Sequence, residues 1–392
     1  MKFLEILFWF SLIIVFYTYL GYGIVLYLLV KIKELFVKQK TIALPGDLPE
    51  VTLFITAFNE NAIVKKKMDN CLTLDYPKDK LKIVWVTDGS NDGTNELLKA
   101  YQEVTVLFQP ERQGKTAALN RGIGFISSPI VVFTDANTMI NSEAILNIVA
   151  EFTDSKVGCV AGEKRIATKE KDGAAGGGEG IYWKYESILK ALDSRLYSAV
   201  GAAGELFAIR RELFETMERD TLLDDFILSL KIAQKGFKIA YCSSAYAIES
   251  GSADMKEEEK RKVRIAAGGL QSIWRLRSLL NMFRYGILSF QYISHRVLRW
   301  SVTPLLLFFM LPINIALSAT KNSELYVILL ILQILFYISG MWGYYLSTKQ
   351  IKNKVLFIPY YFLFMNINVV KGFFYLKRKK NNGIWEKANR SL

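Results

Sequence analysis

The hydrophobic positions of this chain follow two patterns. Long, almost uncharged runs cover residues 4–30, 302–319, 325–346 and 355–375, and each reaches or approaches the roughly 20 residues that cross a bilayer. Between residues 49 and 251, short β-branched runs alternate with helical stretches. The first pattern predicts membrane helices. The second predicts an α/β domain whose mainly parallel sheet has helices on both faces.

Strands and helices can be placed within the α/β region from this alternation. The predicted strands cover residues 51–56, 82–87, 104–108, 130–134, 157–161, 205–209 and 238–241. The predicted helices include residues 61–72, 95–101, 115–125 and 142–152. Residues 173–180 contain Gly176, Gly177 and Gly178 in succession. Because consecutive glycines resist a single conformation, this stretch predicts a mobile loop.

The flanks of the apolar runs predict the orientation in the membrane. The first run is too long for a signal-peptide core and lacks a small-residue cleavage site, which indicates an uncleaved anchor. Basic residues favour the cytoplasmic side of a membrane. They follow the first run and precede the second, at Lys31, Lys33, Lys38, Lys40, Arg275, Arg277, Arg284, Arg296 and Arg299. The α/β domain should therefore face the cytosol in a multi-pass protein of the cell membrane.

The last apolar run fits this topology poorly. A third crossing after a cytosolic domain would place the basic tail outside, against the positive-inside tendency. The run also contains Pro359, Asn366, Asn368 and Lys371. These residues predict a broken or re-entrant element that returns the tail to the cytosol.

The predicted organisation therefore has five parts. They are a membrane helix at 1–32, the α/β domain at 48–256, an Arg-rich amphipathic region at 257–300, a membrane region at 301–376 and a basic tail at 377–392. The membrane region holds two spans and a third or re-entrant segment. In the Arg-rich region, bulky apolar residues alternate with arginines, which is typical of helices on a membrane surface and also of ordinary surface helices.

The composition limits the kinds of partner and of catalytic site that this chain can have. The formal charge of +13, from 50 basic and 37 acidic residues, is explained by anionic lipids and a phosphate-bearing substrate, and no nucleic-acid motif accompanies it. Cys71, Cys159 and Cys242 lie in apolar contexts without metal spacing and are predicted core thiols. The single histidine, His295, excludes a His-based triad and a zinc site.

Polar side chains follow the predicted strands where each strand ends. Asp135 and Asn137 follow the apolar run 130–134. A carboxylate and an amide oxygen at this spacing suit Mg²⁺ or Mn²⁺ shared with phosphate oxygens, although a polar turn in which Asn137 caps the next helix has the same pattern. Asn59 and Glu60 end the first strand, and Asp88 ends the second. Ligands gather at this edge of open α/β sheets.

Three further clusters suit a transfer reaction. Lys115 opens a helix and could meet a phosphate, although a solvated lysine would look the same. Asp224 and Asp225 precede an apolar-periodic helix, where negative charge is favoured in any case, and one of them beside a hydroxyl could act as a general base. Arg261 and Arg264 share one helix face and could hold a diphosphate.

Seven segments stand in the order typical of one family. They read TAFNE, VTDGSNDGT, QGKTAALNRG, FTDANT, GELFAIRREL, LLDDFILSLKIAQKG and RKVRIAAGGLQ. With them, almost the whole chain resembles the membrane-bound family 2 glycosyltransferases of the GT-A fold, which include cellulose, hyaluronan and poly-N-acetylglucosamine synthases. The resemblance implies an inverting, metal-dependent transferase that moves a sugar from a UDP-sugar to a growing polysaccharide or a lipid-linked glycan.

The resemblance also implies roles on the donor side. Asn59 and Glu60 would border the nucleotide. Asp88 would read the uracil, and Lys115 would lie near the donor phosphates. Arg264 would hold the diphosphate.

On the catalytic side, Asp135 and Asn137 stand where the family has an aspartate pair that binds Mg²⁺ or Mn²⁺. Asp225 matches the second acid of a Glu-Asp pair, in which Asp224 takes the first place, and would be the general base. Such a base deprotonates the acceptor hydroxyl for in-line attack on the anomeric carbon, so an α-linked donor would give a β-linked product.

Two departures from the family pattern matter. Asn137 supplies one charge fewer than the usual aspartate. Ile265 stands where processive synthases have a tryptophan that stacks under the acceptor sugar, and Trp274 or Trp183 would substitute for it only in part. A processive synthase and a transferase that adds one or a few sugars to a polyprenyl-linked acceptor therefore both remain open. A non-catalytic membrane scaffold is the alternative from another class.

Overall fold

The computed structural model describes residues 2–37, 43–167, 174–251, 254–321, 323–349, 351 and 353–378. Its strands are β1 Val51–Ala57, β2 Leu81–Asp88, β3 Val104–Gln109, β4 Ile130–Asp135, β5 Met139–Ile140, β6 Val157–Ala167, β7 Leu206–Arg210 and β8 Lys238–Ser250. They form one sheet in the order β3-β2-β1-β4-β7-β6-β8-β5. The seven predicted strands are confirmed. The two residues of β5 are too few to give a sequence pattern.

The sheet is mixed and mostly parallel, as predicted. Strand β1 pairs in parallel with β2 and β4, β2 with β3, and β6 with β8. Strand β7 runs antiparallel between β4 and β6, and β5 runs antiparallel to β8. Strands β1, β2 and β4 therefore end at the same edge, which is where the candidate site lies.

The helices cover the sheet and extend into the membrane region. They are α1 Lys2–Phe16, α2 Tyr22–Phe36, α3 Asn61–Leu72, α4 Thr94–Leu98, α5 Lys115–Gly122, α6 Ala144–Glu151, α7 Ala174–Leu196, α8 Asp224–Gln234, α9 Met255–Arg275, α10 Met282–Tyr285, α11 Ile287–Tyr292, α12 Leu298–Trp300, α13 Val302–Thr320, α14 Glu324–Thr348 and α15 Lys354–Arg378. Within the described ranges, four segments are long and apolar enough to span a bilayer: Lys2–Phe36, Val302–Thr320, Glu324–Thr348 and Val355–Arg378.

Side chains of the central strands alternate between two packed faces. Leu53 and Ile55 of β1 pack in the same cluster as α3 and α6, whereas Phe54 packs with Phe133 and Phe207 on the opposite face, beside α5 and α8. Cover on both faces explains why these strands read as continuous apolar runs. The three cysteines are buried free thiols, as predicted.

The glycine-rich stretch does not form the predicted loop. Residues 174–180 begin helix α7, and residue 173 lies outside the described residues. Further along α7, Leu189, Leu192 and Leu196 pack against α2. Extending a helix that is already packed is easier than starting one, so the cost of about 1 kcal/mol for each glycine relative to alanine is overcome.

The last apolar run is not broken. Helix α15 runs from Lys354 to Arg378 with Pro359 in its second turn, where the missing N–H removes a single hydrogen bond. Two of its polar residues have partners: Asn366 accepts a 2.6 Å hydrogen bond from the Tyr19 hydroxyl, and Lys371 forms a 2.5 Å ion pair with Glu259 of α9. Such partners explain polar residues in an otherwise apolar helix. The side chain of Asn368 is buried without a hydrogen-bond partner among the described residues.

Two arginines expected at the membrane flank lie inside the protein instead. Arg296 and Arg299 are each 7% exposed, and both pair with Glu186 of α7. His295 is buried beside them, 2.6 Å from Asp193. By contrast, Trp274 and Phe283 are largely exposed. The Arg-rich region thus has exposed residues, such as Trp274 and Phe283, and buried residues, such as Arg296 and Arg299, which connect α7 to the segment just before α13. The predicted flank residues Lys38 and Lys40, and most of the tail, lie outside the described residues.

Candidate active site

Three elements bring a lysine and three aspartates together. Strand β4 ends at Asp135, α5 begins at Lys115, and α8 begins at Asp224 and Asp225. The Lys115 Nζ lies 2.8 Å from Asp135 Oδ1 and 3.6 Å from Asp224 Oδ2. These residues are up to 110 positions apart in sequence. They meet because strand ends and helix starts converge at one edge of the sheet.

Gly204 leaves open the space between these charges. A Cβ atom at this position would lie 3.1 Å from Lys115 Nζ and 3.5 Å from Asp225 Oδ2. The other oxygen of Asp225, Oδ1, accepts a 2.8 Å hydrogen bond from the Phe226 backbone N–H. One Asp225 oxygen is therefore held by its own helix, and the other faces the gap.

The electrostatics of the cluster suits acid–base chemistry. Burial, together with the neighbouring Asp224 charge, raises the pKa of Asp225 to about 7. Burial opposes the charge on Lys115, but Asp135 and Asp224 outweigh it and raise the pKa of the lysine. Lys115 is thus charged at neutral pH, while Asp225 is poised to gain or lose a proton there.

A cavity of about 680 Å³ opens from this cluster. It brings six of the predicted site residues together: Lys115, Asp135, Asp224, Asp225, Arg261 and Arg264. Burial and the nearby Arg261 lower the pKa of Arg264. Ile265 lines the same cavity, as does Trp183 of α7, whereas Trp274 is 70% exposed. Of the two tryptophans considered as substitutes for the family's stacking residue, Trp183 is the one that reaches the site.

The remaining donor-side predictions fall at neighbouring strand ends, outside the lining of this cavity. Asp88 is 4% exposed, and its Oδ2 accepts hydrogen bonds from the backbone N–H groups of Gln113 (3.0 Å) and Gly114 (2.6 Å). Its Oδ1 has no hydrogen-bond partner among the described residues. Asp88 therefore positions the loop before Lys115, and its Oδ1 lies 3.7 Å from Arg121 Nη1.

Asn59 and Glu60 tie the ends of β1 and β2 together. Asn59 adopts a left-handed φ of 53°, and its side chain exchanges hydrogen bonds with Asn91. The Glu60 N–H donates to the Thr94 hydroxyl over 2.9 Å. A strained backbone at a strand end is typical of functional sites, so a role for this loop beside the nucleotide stays a prediction.

Several buried charged residues near the site had no signal in the sequence. Lys67 of α3 is fully buried and donates to the Thr138 carbonyl over 2.6 Å, which supports the turn that follows Asp135. Glu205 lines the cavity and pairs with the buried Lys164. Each lies within an ordinary helix or strand pattern, and only the packed structure shows that these side chains point inward.

The donor atoms present fit a shared divalent cation. Among the described residues, no group of three or more His, Cys, Asp or Glu side chains could hold a metal alone. Asp135 supplies one carboxylate, and the half-buried Asn137 follows it in the turn. Mg²⁺ and similar ions are often held by one or two protein oxygens plus substrate phosphates. Such a site would be completed by the donor.

Comparison with known proteins places this fold in one family. Residues 49–268 match the family described as "Glycosyltransferase like family 2", which is more than half of the chain. The chain belongs to this family.

Two relatives are named as synthases of a glycolipid and of a polysaccharide. The chain is 28% identical over 203 residues to a β-monoglucosyldiacylglycerol synthase of Trichormus variabilis, covering 48% of this chain and 42% of that protein. It is 27% identical over 239 residues to the poly-β-1,6-N-acetyl-D-glucosamine synthase of Staphylococcus aureus, covering 58% and 57%. The chain thus spans about half the length of the curated relatives it matches.

A solved structure shares the architecture over nearly the whole chain. It is a mannosyltransferase of Pyrobaculum calidifontis in complex with GDP-mannose and Mn²⁺, with a TM-score of 0.72, 21% identity, and 95% of this chain and 99% of that chain covered. The predicted GT-A fold with membrane helices is confirmed.

Proposed function

We propose that this chain is an inverting glycosyltransferase that works at the cytosolic face of the cell membrane. It transfers a sugar from a nucleoside diphosphate sugar, with UDP as the expected nucleotide, to a hydroxyl of a growing polysaccharide or a lipid-linked glycan. Asp225 removes the proton from the attacking hydroxyl. The hydroxyl oxygen then bonds to the anomeric carbon as the nucleoside diphosphate departs from the opposite side.

The position and the raised pKa of Asp225 support this proposal most strongly. A carboxylate with an ordinary pKa is a weak base toward a hydroxyl, whereas the pKa of about 7 gives Asp225 a better match to the proton it must take at neutral pH. Its free oxygen faces the gap beside Gly204. Direct attack needs one base and no nucleophile from the enzyme, which accounts for the inverted linkage.

Cations around the cavity support the departure of the diphosphate. Lys115, Arg261 and Arg264 line the cavity on two different helices, and such groups stabilise charge that develops on a leaving group. Asp135, with Asn137 beside it, would hold a divalent cation shared with the donor. When bound, Mg²⁺ or Mn²⁺ would neutralise part of the diphosphate charge.

Two modes of action remain within this function. A processive synthase needs a platform for the growing chain, and Ile265 offers no flat surface at the family's usual position. Trp183 lines the same cavity and can stack on a sugar. Addition of one or a few sugars to a lipid-linked acceptor needs no such platform.

The test is an assay of the purified membrane protein with lipid extract, Mg²⁺ or Mn²⁺, and a panel of UDP-glucose, UDP-N-acetylglucosamine and GDP-mannose. Nucleotide release and the size of the labelled product are measured together. We expect release with a UDP-sugar. A long product identifies a synthase, and a small lipid-soluble product identifies limited addition. Release with GDP-mannose alone would contradict the assignment of UDP, and no release with any donor would favour the scaffold.

A further inference from the structure

The cavity contains basic groups that the proposed transfer does not use. Lys190 of α7 is 5% exposed and lines the cavity. No described residue lies within hydrogen-bond or ion-pair distance of its ammonium. Burial nevertheless lowers its pKa, although the charges of Glu186, Glu205 and Asp225 act in the opposite direction from farther away. The nearest recorded contact of Lys190 is the ring of Trp183, 6.0 Å from the ammonium. Taking an ammonium out of water is costly unless it is paired. A buried, unpaired lysine in a ligand cavity therefore indicates an anionic ligand.

A second cation reaches the same cavity with unused donors. Arg299 donates from one terminal nitrogen to Glu186 over 3.0 Å, but its Nε and its other terminal nitrogen have no hydrogen-bond partner among the described residues. Glu186 lies one helical turn before Lys190 on α7, which places the arginine and the lysine on neighbouring parts of the wall. Guanidinium groups with free N–H donors are well suited to phosphate oxygens.

The position of this wall relative to the bilayer suggests the source of the anion. Glu5 of α1 pairs with Lys321 at one end of α13 over 2.5 Å, and Thr18 bonds to Thr303 at its other end over 2.9 Å. In the proposed orientation, the cytosolic end of the α13 span is level with Thr18. Tyr19 and Leu20, the next two residues, line the cavity. The cavity thus lies at the depth where lipid head groups meet the membrane surface.

The rest of the wall on this side is apolar and comes from a membrane helix. Phe357, Ile358, Phe362 and Met365 of α15 line the cavity together with Leu20. A lipid chain fits such a surface, whereas a free phosphate would leave it uncovered.

Resting on the proposed function, we infer that the cavity binds a membrane lipid that carries a phosphate or diphosphate next to its hydroxyl-bearing head group. Lys190 and Arg299 bind the phosphate, and the α15 wall holds the apolar chain. The phosphate takes no part in the bond changes. Asp225 favours a hydroxyl as the nucleophile, because a phosphate oxygen is already deprotonated at neutral pH and needs no base. Neutral diacylglycerol also has a hydroxyl, but it lacks the phosphate that Lys190 and Arg299 would bind, so it is not the preferred acceptor.

The test is lipid binding by the full chain in a neutral detergent, measured by native mass spectrometry in titrations without nucleotide sugar. The probes are phosphatidylglycerol, polyprenyl diphosphate-linked N-acetylglucosamine and diacylglycerol. We expect both phosphate lipids to bind at least about tenfold more tightly than diacylglycerol, as the loss of a charge-assisted hydrogen bond predicts. Tighter binding of one phosphate lipid than the other identifies the isoprenoid or the glycerolipid source.

Matched variants test whether Lys190 contributes to lipid binding. Lys190→Gln should weaken binding of the phosphate lipids about tenfold. Lys190→Arg keeps the positive charge and should bind them as the wild type does. Lys184→Gln changes an exposed position on the same helix and should leave lipid binding unchanged. Lys190→Gln should also unfold at the same or a higher temperature, because it removes an unpaired buried charge.

Two outcomes would overturn the inference. One is equal binding of diacylglycerol and the phosphate lipids. The other is a Lys190→Gln protein that binds lipid normally but has lost affinity for UDP, which would place Lys190 in the donor site. Binding needs no turnover, so phosphate-lipid binding without transfer to any acceptor would contradict the proposed function alone.

Discussion

Asp225 is the residue whose chemistry depends most on its neighbours. Its first-turn position on α8 would lower its pKa by the helix dipole alone, yet burial and the adjacent Asp224 raise the pKa to about 7. Lys115 opposes this rise and holds Asp135 and Asp224 in place. Burial and the charges of Asp224, Lys115 and Glu205 thus together set the proton affinity of Asp225.

The pH dependence of transfer follows from this balance. Since the base must be deprotonated, kcat/KM should rise with unit slope up to about pH 7 and then level off. Asp224→Asn removes a charge that raises the pKa, so the rising limb should move to lower pH in whatever activity remains. A pH–rate profile with saturating metal measures both. A limb that stays in place in the variant would contradict the coupling.

Replacing the base should separate activity from binding. Asp225→Asn should lower kcat by roughly 10²- to 10⁴-fold, the usual contribution of a general base, while UDP binding measured by calorimetry stays within about twofold of wild type. Loss of UDP affinity with retained turnover would refute the assignment.

The same variant should be more stable at neutral pH. The raised pKa means that the folded state binds this proton more tightly than the unfolded state. The corresponding stabilisation is complete below the unfolded value near 3.8 and is lost as pH rises through about 7. The melting-temperature advantage of Asp225→Asn should therefore grow between pH 5 and pH 8 in thermal scans, with Lys184→Gln as a surface control.

The metal assignment rests on Asp135. Asp135→Ala removes the carboxylate at the end of β4, so the divalent cation should no longer increase donor affinity. Calorimetric titration of UDP with and without Mn²⁺ compares this variant with wild type. Wild-type activity that persists in a chelator would show that the cation is not required.

At the scale of elements, close helix packing shapes the membrane side of the protein. Gly343 of α14 lies against the start of α15, where an added Cβ would come within 2.2 Å of the Leu356 carbonyl oxygen. Close backbone approach through glycine is common between membrane helices. This contact fixes the angle at which α15 leaves α14 and passes the cavity.

Gly343→Ala should therefore disturb this packing. Overpacking typically costs about 1–3 kcal/mol, which predicts a clearly lower midpoint in thermal unfolding followed by tryptophan fluorescence. Gly124→Ala is the control, because nothing lies within 4 Å of a Cβ at that position. Equal midpoints for both variants would show that α14 and α15 can move apart freely.

At the scale of the whole molecule, α15 lies beside the catalytic domain. It contacts α14 at Gly340 and Gly343, near the end of that helix, and packs Gly372 against Ala266 and Ala267 of α9. Several of its residues line the catalytic cavity. We propose that α1, α13 and α14 cross the membrane and that α15 lies at the cytosolic boundary, which would keep the basic tail inside.

Cysteine labelling tests this topology. The natural thiols are buried, so single cysteines can be added to the wild-type chain. Ser323→Cys, between α13 and α14, should react with an impermeant maleimide from outside intact cells. Lys349→Cys and Ser391→Cys should react only after the membrane is opened. Reaction of Ser391→Cys in intact cells would instead show that α15 crosses.

The sequence by itself determined the features that depend on local pattern. Apolar runs located the four candidate membrane spans, β-branched runs located seven strands, and the strand and helix ends pointed to Asp135, Lys115 and Asp225, which the structure brings together. Such features can be predicted because a hydrophobic period of 2 or 3.6 residues, or an apolar run of about 20 residues, depends only on neighbouring positions in the chain.

Only the tertiary structure decided which charged residues lie inside and what they face. Arg296 and Arg299 have the sequence pattern of a membrane flank, but they pair with Glu186. Lys190 resembles any other helix lysine in the sequence, but it lines the cavity. The glycines at residues 176–178 extend a helix that packs against α2. Burial and pairing arise between elements far apart in the chain. The local sequence pattern therefore does not predict which charged residues are buried or what they pair with.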